Sequence, residues 1–354
     1  MHNVNANEQG MPKVTASGYS YVSGQKYAHC LIDAMSKLNK SLKKSKASFS
    51  NADGRNRFID MDIASDLRGF LDTDQNSYDS KRVSRLSVSF SVSKDKQKLT
   101  EDLFTRFNNN QDEAVTDNTK QRINTKYYSE SDVFNFFSCL NVSELTTVQY
   151  NRYKGNANFM QFYKKYATEE ERKNRVWLYI MATQYNTGLA NQSRNVVDNT
   201  PSKVIISFSP FHGNDLVDFF QKTKEEQSNI VDNLKNRGAV VFIGDNTPNS
   251  GHDIVSIAYT KATELLDNSE LVDLTDGTVH SVIDDEYNLA VNTDVSKQIS
   301  KRVEQLLGYM EVNKDPRISE VENILSKVKA SETGKKAAKE AAKKDKNANP
   351  EDNA

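Results

Sequence analysis

Cysteine, histidine and long apolar runs are scarce in this chain of 354 residues, and each scarcity removes a class of protein. The two cysteines, Cys30 and Cys139, lie far apart and belong to no paired motif. They read as reduced, buried thiols of a cytosolic protein rather than as a disulfide framework. The first twenty residues are polar, and no apolar run approaches the length that crosses a bilayer. The expectation is a cytoplasmic protein with no membrane contact. Charge of one sign is missing too: 47 basic and 48 acidic residues leave a net charge of -1. Nothing global points to nucleic acid, so any such binding must come from local clusters. The chain has no Gly-x-x-x-x-Gly-Lys-Ser/Thr loop, no dinucleotide fingerprint, no zinc-spaced Cys/His cluster, no His-Glu-x-x-His and no Gly-x-Ser-x-Gly. The five histidines (His2, His29, His212, His252, His280) are scattered, and only His252-Asp253 forms a pair. The acidic cluster Asp284-Asp285-Glu286 has the groups to bind a cation but reads equally as a solvated turn. No catalytic residue, metal or cofactor is expected.

What is present is polar. Hydrophobic residues make up 36% of the chain and the mean hydropathy is -0.72, which suits long excursions, a polar tail or surfaces that pack in an assembly. The most informative stretch is Thr187-Gly188-Leu189-Ala190-Asn191-Gln192-Ser193-Arg194-Asn195. It lies between an apolar run at 176–182, read as a buried strand, and a second strand at 203–209. Gly188 admits close approach of a ligand or another backbone. Asn191, Gln192 and Ser193 offer hydrogen bonds without bulk, and Arg194 offers a planar fork suited to phosphate. These residues suit reading a backbone; they equally fit a polar loop whose arginine caps a carbonyl.

Residues 1–13 form a loose N-terminus, and the chain becomes extended from Val14. Ser23-Gly24-Gln25-Lys26 opens a helix with apolar positions Tyr27, Leu31, Ala34, Met35 and Leu38. It leaves on Lys37, Lys40, Lys43, Lys44 and Lys46, either a solvated helix end or a track for phosphates. Residues 62–72 form a short helix or turn ending at Gly69. Leu86, Val88, Phe90 and Val92 alternate with serines, the pattern of a strand with one buried face. Residues 94–124 read as an exposed irregular excursion. Around Tyr150, Arg152 and Lys154, aromatic, basic and amide groups interleave, which fits either nucleic-acid stacking or an amphipathic helix with its aromatics inward. Asn214-Asp215 caps a helix that Gly238 ends, and strands follow at 239–243 and 254–258. Helices are expected at 297–309 and 316–330, and a disordered Lys/Ala-rich tail at 331–354.

Four of these segments, in this order, resemble a known family: Ser23-Gly24-Gln25-Lys26-Tyr27, then Asp66-Leu67-Arg68-Gly69-Phe70, then residues 81–89 from Lys81 and Arg82 onward, then Gly188 to Arg194 before Pro201-Ser202. The pattern is similar to the RAMP-type backbone subunit of type I CRISPR Cascade complexes, in the DevR-like branch and of subtype I-B. The resemblance spans roughly residues 20–260 and implies an α+β fold: a ferredoxin-like, RNA-recognition-motif-like palm with large finger and thumb insertions. One domain would then cover 14–330, with insertions at about 94–170 and 245–295. It implies a non-catalytic subunit that polymerises along CRISPR RNA, holds its backbone and leaves the bases free to pair with target DNA. Partners would be CRISPR RNA, target DNA through the guide, neighbouring copies and other Cascade subunits. By motif, RNA contacts fall on Ser23, Gln25, Lys26, Lys81, Arg82, Arg85, Gly188, Asn191, Gln192, Ser193 and Arg194, with Tyr150, Arg152 and Lys154 as finger or thumb contacts. Gln25 and Lys26 would otherwise only cap and solvate the helix, and Arg85 would pair with a local carboxylate. A competing reading is a metal-dependent target-RNA endonuclease like the backbone subunits of type III complexes. That chemistry needs an acid near the first strand–helix loop, yet residues 14–28 hold no Asp or Glu and Asp33 lies within the helix. A regulatory role without CRISPR RNA stays open.

Overall fold

A computed structural model describes residues 13–50, 58–71, 81–96, 99–107, 121–129, 133–154, 157–186, 188–189, 199–211, 213–247, 252–275, 277–281, 284–285, 303–304, 306–308, 310–311, 314 and 316–347. The architecture is α+β, and every strand ladder among the described residues is antiparallel and two-stranded. The chain divides into two compact units, the first made of residues 1–45, 85–142 and 173–272, the second of 46–84, 143–172 and 273–354.

In the first unit, β1 (Tyr19–Val22) leads into α1 (Gly24–Leu42). Ser23 is extended and its hydroxyl accepts the Lys26 N–H at 3.3 Å, so the predicted cap forms. Tyr27, Leu31, Ala34 and Met35 are buried as their spacing requires. The serine alternation does not make one strand. β4 (Leu86–Val88) pairs with β8 (Ser138–Leu140), whereas β5 (Ser91–Lys96) pairs with β1. The partner change at Ser89-Phe90 inverts the buried face: Ser91 and Ser93 turn inward and Phe90 is 64% exposed. The excursion expected after residue 94 instead forms a hairpin of β6 (Leu99–Phe107) and β7 (Gln121–Ser129).

Two apolar runs read as strands are helices. α3 (Glu169–Gln184) contains the run at 176–182. A seven-residue apolar run does not by itself distinguish strand from helix. The charged stretch before it decides, because Thr168 accepts the Glu171 N–H and Glu169, Glu170 and Glu171 fill the first turn. α5 (Ile254–Asn268) replaces the strand expected at 254–258. Asp253 caps it, accepting the Ser256 N–H at 2.9 Å, and Val255, Ala258, Tyr259, Ala262 and Leu266 form its buried stripe. β11 (Lys203–Phe208) pairs with β12 (Val240–Asp245). α4 (Lys224–Asn236) begins later than Asn214-Asp215, because Thr223 and Glu226 form a complete capping box. Gly238 follows its end at φ +84°. Tyr27 stacks on Phe136 at 4.5 Å, Tyr179 bonds Ser138 at 2.7 Å and Tyr259 bonds Thr183 at 2.9 Å. Burial pushes all three phenols up, Tyr259 to about 12, so they stay neutral hydrogen-bonding groups.

The second unit is organised by two buried aspartates. Asp62 caps α2 (Ile63–Arg68), accepting the Ala64 and Ser65 N–H groups at 3.2 Å and the Ser50 N–H and hydroxyl at 2.8 and 2.6 Å. Asp66, one turn on, pairs with Arg82 of β3 (Lys81–Arg82), which ladders with β2 (Phe70–Leu71). Asp66 also accepts the Thr146 N–H, holding that β-branched residue at φ +59°. Gly69, at φ +77°, lets the Arg82 backbone pass where a Cβ would strike its carbonyl. β9 (Thr147–Lys154) and β10 (Ala157–Lys165) form a second hairpin where an amphipathic helix was the alternative. An acidic segment crosses the end of β10: Lys164 meets Asp285 at 3.0 Å, Lys165 pairs with Asp273, and the His280 N–H donates to the Lys165 carbonyl at 2.7 Å. α6 (Ile318–Asn347) sends Val321, Leu325 and Val328 into a core with Phe58, Ile59 and Met310, then continues to Asn347, across residues expected to be disordered.

Two outcomes are expected. Asp66→Asn, which leaves Arg82 charged and buried, lowers stability in urea titration by about 3–5 kcal/mol. The second concerns acid. Burial alone would raise the Asp273 pKa, but Lys165 and Thr275 outweigh it and hold it at about 2, against an ordinary 3.8. A depressed carboxylate stabilises the fold above its unfolded pKa and loses that contribution as pH falls toward the folded one. The stability gap between wild type and Asp273→Asn is therefore full at pH 6 and closes from about pH 4 to about pH 2.

Candidate nucleic-acid interface

The first turn of a helix holds N–H groups with no partner in the helix, and its dipole favours negative charge there. In α1 that turn sits hard against the end of β4: a Cβ on Gly24 would lie 3.3 Å from the Val88 carbonyl oxygen and 3.5 Å from that of Ser89. A larger residue would push the helix off the strand, which accounts for the glycine after the cap. Gln25 and His29, one turn apart, are exposed, while Ser23 and Lys26 are half-buried. Asp33 lies further along and is ion-paired with Lys37 at 2.7 Å.

Gly188 comes to the same part of α1. A Cβ on Gly188 would stand 3.1 Å from Cys30 Sγ and 3.4 Å from Cys30 Cβ. The Gly188 N–H donates to Asn186 Oδ1 at 3.2 Å, an Asx turn that fixes where the loop leaves α3. Burial pushes the Cys30 thiol up, opposed by the Lys26 ammonium beside it. Lys26 and Gly188 thus both lie against Cys30. Asn191, Gln192, Ser193 and Arg194 lie outside the described residues.

The middle two motifs behave differently. Arg82 is 5% exposed and spends its guanidinium internally. It pairs with Asp66, its Nε donates to the Asp66 carbonyl at 3.2 Å, Nη2 to the Glu144 carbonyl at 3.1 Å, and Nη1 to the Thr147 carbonyl. With its side chain only 1% exposed, Arg82, expected at an RNA contact, is engaged in bonds inside the fold. Lys81 precedes it on β3, in register with Leu71. Arg85 is half-buried, and its carbonyl accepts the Asn141 N–H at 2.9 Å. Tyr150, Arg152 and Lys154 occupy alternate positions of β9, opposite Phe162, Met160 and Ala157.

Sequence reasoning missed Cys30 and Asn186. The signals were there: Cys30 stands one helical turn from Lys26, and Asn186-Thr187-Gly188 has Asx-turn spacing. Among the described residues no group of three His, Cys, Asp or Glu is placed to hold a metal ion, and no helix is long and apolar enough to cross a membrane.

The class is therefore an α+β protein whose candidate contacts are a capped helix start and Gly188, which packs on Cys30 of the same helix. The chain belongs to the family described as CRISPR-associated negative auto-regulator DevR/Csa2, which it matches over residues 3–193, more than half its length. No curated protein matches it. Two solved chains resemble it in structure. One, described as CRISPR RNA-guided surveillance complex, is 12% identical at a TM-score of 0.46, covering 75% of this chain and 94% of that one. The other, described as CRISPR RNA-guided surveillance complex, pre-nicking, is 12% identical at a TM-score of 0.41, covering 66% and 84%.

The close approach of Gly188 to α1 is directly testable. Gly188→Val should lower stability by about 1–3 kcal/mol, because the added methyl groups overpack the Cys30 side chain. Cys30→Ala in the same chain should recover part of that loss, a coupling that a double-mutant cycle of thermal midpoints reads directly.

Proposed function

We propose that this chain is a non-catalytic, guide-RNA-binding backbone subunit of a type I Cascade effector, of subtype I-B, built on a ferredoxin-like palm with finger and thumb insertions. Copies line up along the CRISPR RNA, hold its sugar–phosphate backbone, and leave the bases free to pair with target DNA. The subunit works in the cytoplasm beside other Cascade subunits. One observation carries this reading: in a chain of a CRISPR-associated family, Lys26 and Gly188 come together around Cys30, near the start of α1.

The chemistry suits a phosphodiester. The N-terminal end of the helix dipole, beyond the Lys26 N–H that the Ser23 hydroxyl accepts, favours a phosphate oxygen. Lys26 adds a cation, and Gln25 adds an exposed amide. Gly188 lets a strand approach closely, and the residues after it in sequence supply Asn191, Gln192, Ser193 and the Arg194 fork. Such groups hold a backbone and carry no base code, which fits a protein that leaves sequence reading to pairing. Lys81, Arg85, Tyr150, Arg152 and Lys154 remain proposed contacts; Arg82 does not. The nuclease alternative has less support, because residues 14–28 hold no Asp or Glu.

The test is guide retention on the purified particle across a salt series. Lys26→Ala and Arg194→Ala should each weaken retention by roughly 10-fold or more, as expected for loss of a charge-assisted contact of about 1.5–3 kcal/mol. Each should also lower the salt slope by about 1. Unchanged retention and slope in both variants would contradict the site.

A further inference from the structure

We propose that the C-terminal half of α6 is a separate, sequence-independent nucleic-acid contact that lays a row of lysines along the phosphate backbone of a duplex. This region lies outside the family match, which ends at residue 193. The proposal does not depend on the α1 site.

The helix changes character along its length. Val321, Leu325 and Val328 are buried, with Ile318 and Ile324 packed beside them. From 331 to 347 the helix carries no apolar residue larger than alanine. Thr333, Gly334, Lys336, Ala337 and Glu340 are exposed. None of these five residues packs into a core.

Residues 333–347 hold six lysines (335, 336, 339, 343, 344 and 346) against Glu340 and Asp345, a local charge of +4. At about 100° per residue, positions 335, 346, 339, 343 and 336 fall within an arc of about 100°, and 337, 338, 341 and 342, all alanine, fall outside it. From 335 to 346 the row runs about 16 Å. Like charges four residues apart repel, so the row is unfavourable until a polyanion neutralises it.

The row also selects its partner. Protein interfaces rely on buried aromatic or apolar anchors, and this segment has none. Single-stranded nucleic acid is held by stacking on aromatic rings, also lacking here. Lysines alone suffice for duplex phosphates, where counterion release drives binding. The rival occupant is a second copy of the chain, whose residues 262–296 contain nine acidic residues (Glu264, Asp267, Glu270, Asp273, Asp276, Asp284, Asp285, Glu286, Asp294) and no Lys or Arg.

The experiment compares the full chain, as purified with whatever RNA it carries, with two five-site variants at 335, 336, 339, 343 and 346: Lys→Ala and Lys→Arg. Binding of a fluorescent DNA duplex of arbitrary sequence is followed by anisotropy between about 50 and 200 mM salt, the range over which counterion release separates such contacts. The Ala variant should lose at least about 10-fold in affinity at low salt, and its salt slope should fall by about 4, while the Arg variant keeps both. Circular dichroism checks that the Ala variant keeps its helix. Guide content should be the same in all three. Equal duplex affinity and slope in wild type and Ala variant overturn the proposal. Self-association without DNA that is lost in the Ala variant overturns it in favour of the second copy. Loss of guide along with duplex affinity overturns it by assigning the lysines to the guide site. Absence of guide RNA from every particle, with the duplex result as expected, would instead fault the reading of the α1 site.

Discussion

The second unit depends on one buried ion pair. Asp66 and Arg82 have side chains 0% and 1% exposed, so each would be costly in that place without the other. Together they fix more than themselves. Arg82 ties β3 to the carbonyls of Glu144 and Thr147, and Asp66 holds the turn at Thr146 in a conformation that threonine rarely adopts. The β9–β10 hairpin starts from that turn, so the placement of Tyr150, Arg152 and Lys154 is inherited from the pair. Gly69 completes the arrangement by letting β2 and β3 approach.

This divides the four sequence motifs into two kinds. The Asp66–Phe70 segment and the Lys81-Arg82 segment are tied to each other by the Asp66–Arg82 pair and the β2–β3 ladder, so part of their spacing serves the fold. The Ser23–Lys26 segment opens a helix with Gln25 exposed, and Gly188 packs on Cys30, one turn beyond Lys26. An arginine in a family motif is thus poor evidence of a ligand contact until its guanidinium is accounted for, and a small residue such as Gly24 or Gly188 marks a close approach more dependably.

Where local signals were complete, the sequence was legible. The cap at Ser23, the apolar spacing of α1, the glycine that ends α2, and β11 and β12 all follow from residues within one turn or one strand. Where the deciding information lay elsewhere, it was not. The runs in α3 and α5 looked like strands because short apolar stretches carry no period of their own; Thr168 and Asp253, at their edges, decide. The serine alternation from Leu86 to Val92 was broken by a change of pairing partner, which no local pattern announces. The burial of Arg82 needed Asp66, sixteen residues away, and the Thr147 carbonyl, sixty-five away. At the site, the polar face of α1 was readable, but its neighbour Cys30 became visible only when Gly188 was placed on it.

The central claim is that this chain holds a guide RNA. Purifying it together with the products of its co-expressed neighbouring genes and sequencing any RNA in the particle addresses that most directly. The account predicts a large particle carrying RNAs of uniform length with repeat-derived flanks. A lone protein free of RNA would contradict it.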